Sequence, residues 1–287
     1  AEPMLGGVYN ADPQQQSILA TFPQFRRLEA EHGSLIKGMQ AAMAMKKRSA
    51  SAKPDLIGFK KGMGTLVDAL VDQLDSDMFL DTPVHSIQPI LEGGYDVFVD
   101  DEIPIYADAV VLALPAHVAA GLIGGFAPEP AGTLKQIRYE GVGIATFAFN
   151  RADVPHPMDA YGIVIPGGEG RQIDGITWSS EKWPNRAPEG TALMRVFFGG
   201  PNTRQMIDRD DDAVLQIVRD ELQDILNISA EPTFQHITRW QRAYPQYDVG
   251  HKERVTAIES IMPGGLFVVG NAYHGVGLPD TIHHAKR

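Results

Sequence analysis

The first fifty residues carry apolar side chains at helical spacing. They recur at Leu28, Leu35, Ile36, Met39 and Met43, close to the repeat of about 3.6 residues that marks an amphipathic helix. Pro23 suits the first turn of a second helix, where its missing N–H leaves no hydrogen bond unmade. We therefore predict helices over residues 13–50.

The end of this helical region is basic and has two interpretations. Lys46, Lys47 and Arg48 follow the apolar run AAMAM, a combination typical of a peripheral membrane contact. Cationic side chains also favour a helix C-terminus, and the SASAKP that follows is typical of a flexible linker. The helix C-terminus is the preferred interpretation, and the membrane contact stays an alternative.

Between residues 57 and 123 the pattern changes from helix to strand and back. TLVDALVDQL predicts a helix that begins near Thr65, and HVAAGLI predicts another. Strands are predicted over residues 78–90, 94–100 and 102–115, with a hairpin turn at Gly93 and Gly94. ADAVVLALP is apolar without alternation, which predicts a strand covered on both faces.

The central region of the chain predicts an antiparallel sheet. Apolar segments punctuated by glycine and proline predict strands over residues 141–150, 161–167, 173–180, 191–200 and 233–247. Residues 210–226 predict an amphipathic helix with aspartates in its first turn, where the helix dipole favours them. A strand over 264–270 and a helix from Pro279 complete the chain.

The last strand and helix are too short to form a domain alone, so we predict that they return to the sheet of residues 78–115. The predicted fold class is mixed α/β and α+β. A discontinuous, glutathione-reductase-like domain is interrupted by a substrate domain with a mixed or antiparallel sheet. The predicted boundaries are 1–56 for a helical region, 57–120 and 264–287 for the discontinuous domain, and 121–263 for the substrate domain.

Composition narrows the classes of function. The formal net charge of −11 argues against a nucleic-acid binder, because such domains carry basic patches. The absence of cysteine excludes disulfides, thiol catalysis and zinc–thiolate sites. The nine histidines show no metal-ligand spacing, and the adjacent His283 and His284 point in different directions on a helix, so we expect no metal site. Without a long apolar run or a signal peptide, we expect a cytoplasmic location.

The segment GNAYHGVGLPD, residues 270–280, predicts a ligand-binding turn between strand and helix. Gly270, Gly275 and Gly277 allow unusual φ values or a close approach of backbone to a ligand. Pro279 suits the first turn of a helix, whose free N–H groups and dipole favour an anion. A diphosphate and the N1–C2=O edge of a reduced flavin both fit, and a glycine-rich connection without a ligand is the alternative.

Several segments together resemble the protoporphyrinogen oxidases of the flavin amine oxidase superfamily. They are GLFVVGNAYHGVGLPDTI, GGVYNADPQQQSILATFPQFRRLEAEHGSLIKG, GFKKGMGTLVDAL, ADAVVLALPA, WSSEKWPNRAPEG with RVFFGG, and RWQRAYPQYDVGH. The resemblance implies that the discontinuous domain binds FAD. It implies oxidation of a porphyrinogen to a porphyrin by stepwise hydride transfer to flavin, with O₂ as electron acceptor. Because the cofactor carries this chemistry, we assign no catalytic residue.

The resemblance also implies the site residues. Val276, Gly277 and Leu278 match the segment that lies against the flavin, and Val84 matches a residue whose backbone holds the adenine end. Trp240 matches an aromatic side chain near the flavin, although its own pattern favours a core tryptophan. The cofactor-binding residues are thus expected to be Val84, Trp240, Gly270, Asn271, Gly275, Val276, Gly277 and Leu278. Those expected to contact the porphyrinogen are Gly7, Tyr161, Gly162, Val164 and Phe198.

Two departures from the family pattern bear on these expectations. Tyr9-Asn10-Ala11-Asp12 stands where the family reads YAGD, and we expect the turn to survive because asparagine tolerates the left-handed conformation. The dinucleotide fingerprint GxGxxG does not open the chain, so we expect the N-terminal βαβ unit to be missing. A chain without it would lose most of the diphosphate site.

Several alternatives stay open at this point. Coproporphyrinogen fits the same fold as protoporphyrinogen, and a cofactor-free binding module is the alternative of a different class. The cation for the substrate carboxylates is Arg195, Arg239 or a residue N-terminal to this sequence. A homodimer and a peripheral contact with the inner face of the cell membrane are not decided by the sequence.

Overall fold

A computed structural model describes residue 7 and residues 9–48, 57–99 and 103–286. The predicted linker SASAKP lies outside these residues, as do the side chains of Lys46, Lys47 and Arg48. The structure therefore bears on the helix that precedes the linker, and the interpretation of its basic end stays a prediction.

The helices are named in chain order. They are α1 (Ile18–Thr21), α2 (Pro23–His32), α3 (Leu35–Arg48), α4 (Gly64–Val71), α5 (Ala116–Ile123), α6 (Pro128–Lys135), α7 (Ser179–Lys182), α8 (Asp211–Leu226), α9 (His251–Ile261) and α10 (Leu278–Ala285). The helical prediction for residues 13–50 is confirmed from Ile18 to Arg48, whereas residues 13–17 form a turn and not a helix. Pro23 does occupy the first turn of α2.

The strands are shorter than the predicted segments in the first half of the chain. They are β1 (Ser86–Pro89), β2 (Tyr95–Phe98), β3 (Ile105–Ala107), β4 (Val110–Leu112), β5 (Tyr139–Asn150), β6 (Gly162–Val164), β7 (Gly175–Trp178), β8 (Thr191–Phe198), β9 (Phe234–Pro245) and β10 (Leu266–Val268). Gly93 and Gly94 adopt φ values of 105° and 84°, so the predicted hairpin between β1 and β2 is confirmed.

The chain forms two units, each made of separate stretches of sequence. One contains residues 1–16 and 138–246, and the other contains residues 17–137 and 247–287. These limits differ from the predicted domain boundaries, since the helices α1 to α3 group with residues 57–137 and the first sixteen residues group with the central sheet.

The first unit is built on an antiparallel sheet with the strand order β6-β7-β8-β5-β9. Alternate residues of β8 are buried, as expected for a strand with one face in the core. The core beneath this face includes Phe147, Trp178, Met194 and Val218, the last of these from α8. The predicted antiparallel sheet of the central region is therefore confirmed. The core covers one face of this sheet, and a cavity described below lies on the other.

Helix α8 begins and ends at residues suited to those positions. The side chain of Asp210 accepts a hydrogen bond from the N–H of Ala213 at 2.8 Å, and Asp211 and Asp212 follow in the first turn. Asn227 ends the helix with a φ of 60°. A side-chain cap at the start and a left-handed residue at the end both stabilise helices. They define the ends of the helix that covers the core face of the sheet.

The second unit combines a β1-β2-β3 meander with a parallel pair, β4 and β10. Leu266 pairs with Val110 and Val268 pairs with Leu112, so the last strand joins the strand of ADAVVLALP. Leu112, Leu266 and Val268 are buried, whereas Val111 and Phe267 are 59% and 54% exposed. The prediction that ADAVVLALP is covered on both faces is therefore wrong for the described residues, because the side chains that alternate with the buried ones contact solvent.

Helices α5, α6 and α9 pack together in this second unit. Their buried residues include Ala119, Ile123, Leu134, Val255 and Ile258. In the residues that the structure describes, no helix has both the length and the apolar character needed to cross a bilayer.

Candidate functional site

The turn between β10 and α10 follows the carboxyl end of a parallel strand. Gly270 has a φ of 133° and open space around the position of an added Cβ. Gly275 has a φ of 146°, and a Cβ there would lie 2.5 Å from the Cβ of Asp280. Gly270 therefore leaves backbone open to a ligand, whereas Gly275 is required by close packing within the turn itself.

The buried side chain of Tyr247 holds this turn in place. Its hydroxyl donates a hydrogen bond to the carbonyl of Asn271 at 2.8 Å and accepts one from the N–H of Gly275 at 2.7 Å. The tyrosine is 2% exposed. One buried phenol thus links both arms of the turn and sets the distance between them.

His251 supports Tyr247 at the start of α9. The two rings stack with centroids 3.9 Å apart and an interplanar angle of 15°. Nε2 of His251 lies 3.1 Å from the carbonyl of Tyr273 and is the donor, because a carbonyl only accepts. Burial lowers the pKa of His251 to about 4, so the ring is neutral near pH 7.

Sequence reasoning assigned no role to Tyr247 or His251, although both lie in the quoted segment PQYDVGH. The signal was a tyrosine and a histidine four residues apart, which is also an ordinary spacing on a helix. In the structure Tyr247 precedes α9. Tyr247 and His251 therefore pack against the turn after β10 and do not lie along one helix face.

The backbone that follows the turn fits a flavin. Helix α10 begins after Gly277, and no side chain caps its first N–H groups in the described residues. Val276 and Gly277 are partly exposed and Leu278 is exposed, which leaves this segment accessible. A helix N-terminus favours negative charge of the kind that a reduced flavin gains at its N1–C2=O edge. Asp280, in the first turn of α10, packs against Gly275. Its own negative charge opposes the binding of another negative charge at this helix N-terminus.

The other residues expected at the cofactor come from other parts of the chain. Val84 is exposed in the segment before β1, in the same unit as the turn. Trp240 lies on β9, in the other unit, opposite Val142 of β5. Its side chain is 48% exposed, so the interpretation of Trp240 as a core tryptophan is wrong and a large aromatic surface is free to contact a ligand.

The exposed face of the five-stranded sheet holds a cavity of about 410 Å³. Its lining residues come from β5 to β9 and the first stretch of the chain: Gly7, Asn10, Val142, Ile163, Val164, Asp174, Gly175, Ile176, Thr177, Phe197 and Tyr244. Most of these side chains are apolar or aromatic, which is typical of small-molecule sites.

Only some of the residues expected to contact the porphyrinogen line this cavity. Gly7 and Val164 line this cavity. Tyr161 is exposed just before β6, and a Cβ on Gly162 would lie 2.2 Å from the carbonyl oxygen of Ile176. Phe198 is fully buried in the core, where its ring leaves room only for glycine at position 143. Its neighbour Phe197 lines the cavity instead.

A second cavity, of about 550 Å³, is more polar and shares Gly7, Asn10, Val164 and Asp174 with the first. Asn10 has a φ of 49°, so it adopts the left-handed conformation on which the expected turn depends. Its Nδ2 donates to the carbonyl of Gly141 at 2.7 Å. This bond ties the start of the chain to β5 beside both cavities.

Asp174 is the acidic group between the two cavities. Its Oδ2 accepts hydrogen bonds from the N–H of Gly200 at 2.9 Å and the hydroxyl of Thr203 at 2.8 Å. Burial raises the pKa of Asp174, and the two hydrogen bonds oppose that rise. Asp174 therefore offers a carboxyl group to a ligand with N–H or O–H donors.

The two candidate cations have different surroundings. Arg239 forms an ion pair with Asp211 and donates to the carbonyl of Arg209 at 2.9 Å. Arg195 lies with its guanidinium 5.6 Å from the centroid of the Phe197 ring. Burial, and then the charge of Arg186, lower the pKa of Arg195. No carboxylate pairs with Arg195 in the part of the chain that the structure describes.

The position of Arg195 in the sheet also suits contact with a ligand in the 410 Å³ cavity. It pairs in register with Thr177 of β7, a residue that lines the 410 Å³ cavity. Phe197, two residues along β8, points to the same face of the sheet and lines that cavity too. Of the two arginines, Arg195 is the one available to a ligand carboxylate.

The family model described as flavin containing amine oxidoreductase matches residues 1–287. The chain belongs to this family. Its members are oxidoreductases with a flavin cofactor, in agreement with the FAD that the resemblance implies.

Curated relatives of this family member include two kinds of enzyme. The coproporphyrinogen III oxidase of Bacillus subtilis (strain 168) is 32% identical over 299 residues, which cover 99% of this chain and 62% of the relative. Protoporphyrinogen oxidase 1 of Arabidopsis thaliana is 27% identical and is covered to 58%. The chain thus spans about 60% of the length of these relatives.

Solved structures of related chains share its fold. A protein of Exiguobacterium sp. 255-15, provisionally named protoporphyrinogen oxidase, superposes with a TM-score of 0.85 at 29% identity, over 99% of this chain and 61% of the other. Cyclohexylamine oxidase of Brevibacterium oxydans superposes with a TM-score of 0.64 at 16% identity, over 94% and 57%. The second likeness concerns the fold alone.

Proposed function

We propose that this chain is the larger part of a flavin-dependent porphyrinogen oxidase, which converts a porphyrinogen to a porphyrin in haem synthesis. The observation that carries the proposal is the cavity on the exposed face of the sheet, with Arg195 beside it. An apolar wall of this kind suits a flat macrocycle, and an unpaired cation suits its carboxylates. The names of the relatives support the same substrate class.

The residues of this chain would bind and orient, and the flavin would supply the hydride-accepting chemistry when it is bound. Gly270, Asn271 and Val276 to Leu278 would offer backbone to the ring, with Tyr247 and His251 holding the turn in place. The N-terminus of α10 would favour the negative charge of the reduced state. Val84 and Trp240 are proposed contacts of the same cofactor.

On the substrate side, Val164, Phe197 and Thr177 would exclude water from the macrocycle. Gly7, Tyr161 and Gly162 are proposed contacts on the rim, and Phe198 would act from the core by supporting the sheet. Asp174 would accept hydrogen bonds from pyrrole N–H groups, because it is the carboxyl group that lines the cavity. No proton-transfer residue is assigned.

Protoporphyrinogen and coproporphyrinogen are the two candidate substrates, and the name of the relative from Arabidopsis thaliana favours the first. Coproporphyrinogen carries more carboxylates, and two observations favour it. Arg186 lies close enough to Arg195 to lower its pKa, so two cations share this region. The relatives from Bacillus subtilis, Staphylococcus aureus and Propionibacterium freudenreichii are named coproporphyrinogen III oxidase.

A side-by-side assay of the full-length protein tests this proposal. Porphyrin fluorescence is followed with each porphyrinogen, together with peroxide formation and the flavin absorbance spectrum. We expect a flavin spectrum, porphyrin from at least one substrate and peroxide in proportion to it, which would also support O₂ as acceptor. A colourless protein that oxidises neither substrate would favour the cofactor-free module. Co-sedimentation with liposomes and light scattering test the proposed membrane contact and homodimer.

A further inference from the structure

Two histidines and a glutamate meet beside the parallel pair β4 and β10. Glu259 comes from α9, His274 from the turn after β10, and His284 from α10. Nε2 of His274 lies 2.6 Å from Oε1 of Glu259, and Nε2 of His284 lies 3.4 Å from the same oxygen. The two imidazole rings have centroids 4.1 Å apart.

The scaffold of this cluster is set by contacts outside it. Tyr247 fixes the turn that carries His274 through its hydrogen bonds to Asn271 and Gly275. His251 binds the carbonyl of Tyr273, the residue before His274. Since α9 begins at His251 and carries Glu259 two turns later, the same interactions that shape the turn also place the ligand atoms. The backbone positions of His274 and Glu259 are therefore set by the fold.

The donor set and its spacing suit a transition metal. Two imidazole nitrogens and one carboxylate oxygen lie within 4.8 Å of one another. A tetrahedral Zn²⁺ holds its ligands at roughly 2.0–2.2 Å, which places ligand atoms about 3.4 Å apart. The separation between His284 and Glu259 is already 3.4 Å, and the shorter one would need to lengthen by less than an ångström. Imidazole ligands favour Zn²⁺, Ni²⁺ or Cu²⁺ over Mg²⁺ and Ca²⁺.

We propose that Glu259, His274 and His284 form a binding site for a divalent transition metal, with Zn²⁺ as the first candidate. The cluster borders a cavity of about 440 Å³ that also contains Met262 and Phe267. Three protein ligands leave one tetrahedral position for water or an exogenous ligand. The site belongs to the same structural framework as the turn, so metal binding would stabilise that turn.

The competing explanation is that His274 and Glu259 form a direct ion pair, with Nε2 and Oε1 2.6 Å apart, and bind no metal. The two explanations differ in what they require. The direct pair needs no added ion, whereas a metal site responds to the metal that is added.

The test uses the protein without a polyhistidine tag, treated with EDTA and then dialysed. Titration calorimetry with ZnCl₂ and with MgCl₂ is measured at pH 7.5, together with the shift in Tm. We expect one Zn²⁺ per chain, a higher Tm, and no response to Mg²⁺. His274→Ala and Glu259→Gln should each weaken Zn²⁺ binding by roughly tenfold or more, which corresponds to about 1.4 kcal/mol.

His283→Ala is the matched control, because His283 neighbours His284 on α10 but is not a member of the cluster. It should bind Zn²⁺ as the parent protein does. Absence of Zn²⁺ binding by the folded parent, or equal affinity in His274→Ala and His283→Ala, would overturn the proposal. Cobalt absorbance provides a second readout, since a tetrahedral site gives intense visible bands that the ion pair does not.

Discussion

The turn after β10 and the open face of the five-stranded sheet are built on different principles. In the turn, the groups that would meet a ligand are backbone atoms, and the side chains of Tyr247 and His251 only hold them in place. On the sheet, the ligand would meet side chains such as Phe197 and Arg195, and the backbone is used for pairing. A backbone site tolerates little change in its support, whereas a side-chain site can change its specificity one residue at a time.

The largest effect is expected from Gly275→Ala, which acts on the turn. The added methyl group would need to occupy space 2.5 Å from the Cβ of Asp280, at a φ of 146°. We expect a loss of about 3 kcal/mol in the free energy of unfolding, measured with urea, and loss of flavin from the full-length protein. Gly264→Ala is the control, because its Cβ would meet open space. Equal stability of the two variants would refute the role of Gly275.

A nearly equal effect is expected from pH through His251. The unfolded imidazole binds a proton below a pKa of 6.5, but the folded one binds it only below about 4. The unfolded state therefore holds more protons between these values, so stability is full above pH 6.5 and falls as pH decreases toward 4. The loss should reach about 3 kcal/mol.

Urea unfolding at pH 7 and pH 5, compared with His251→Gln, isolates this contribution. The variant should be less stable at pH 7, since it loses the stacking with Tyr247, but its stability should depend less on pH. An unchanged pH dependence in His251→Gln would show that other groups control acid unfolding.

A smaller effect is expected from Tyr247→Phe. The change keeps the ring and removes the hydroxyl that links Asn271 to Gly275. Because the N–H of Gly275 would lose its partner in a buried place, we expect a cost of about 2 kcal/mol. Flavin affinity should fall with it. Tyr161→Phe, at an exposed position, should leave both stability and flavin affinity unchanged.

The smallest effect on stability is expected from Arg195→Met, which tests the sheet. Arg195 is a desolvated cation without a carboxylate partner in the described residues, so its removal should leave the free energy of unfolding unchanged or raise it slightly. In the full-length protein the variant should raise KM for the porphyrinogen roughly tenfold with little change in kcat. Arg239→Met, which breaks the pair with Asp211, is the comparison. If Arg239→Met raised KM more than Arg195→Met does, Arg239 and not Arg195 would be the cation that binds the substrate carboxylate.

The comparison also explains how much the sequence could predict. Strands such as β5, β8 and β9 were predictable because their apolar patterns are long and their turns carry glycine or proline. The turn after β10 was predictable as a site because glycine and proline have few other reasons to occur together there. Its supporting pair, Tyr247 and His251, could not be assigned because their role depends on a stacking contact between residues on either side of a turn.

Side-chain sites were harder to predict for a related reason. Phe197 and Phe198 are equally apolar, so the sequence does not reveal which of them faces the core. Trp240 fits a buried strand by composition and is half exposed in the structure. The proposed metal ligands Glu259, His274 and His284 are separated by ten or more residues and come from two helices and a turn. The fold brings them together by placing Glu259 of α9 beside His274 of the turn and His284 of α10.

The hydrogen bonds at Tyr9 and Asn10 have a consequence for synthesis of the chain. Asn10 binds the carbonyl of Gly141, and Nε2 of Gln246 lies within 3.3 Å of the carbonyl of Tyr9. Gln246 follows Tyr9 by 237 residues, which a ribosome adds in roughly 12–50 seconds. Gly141, the partner of Asn10, is made earlier, but the carbonyl of Tyr9 waits for Gln246 over the whole interval. The part of the cavity lining that Gly7 and Asn10 contribute is therefore among the last parts of the sheet unit to gain all its contacts.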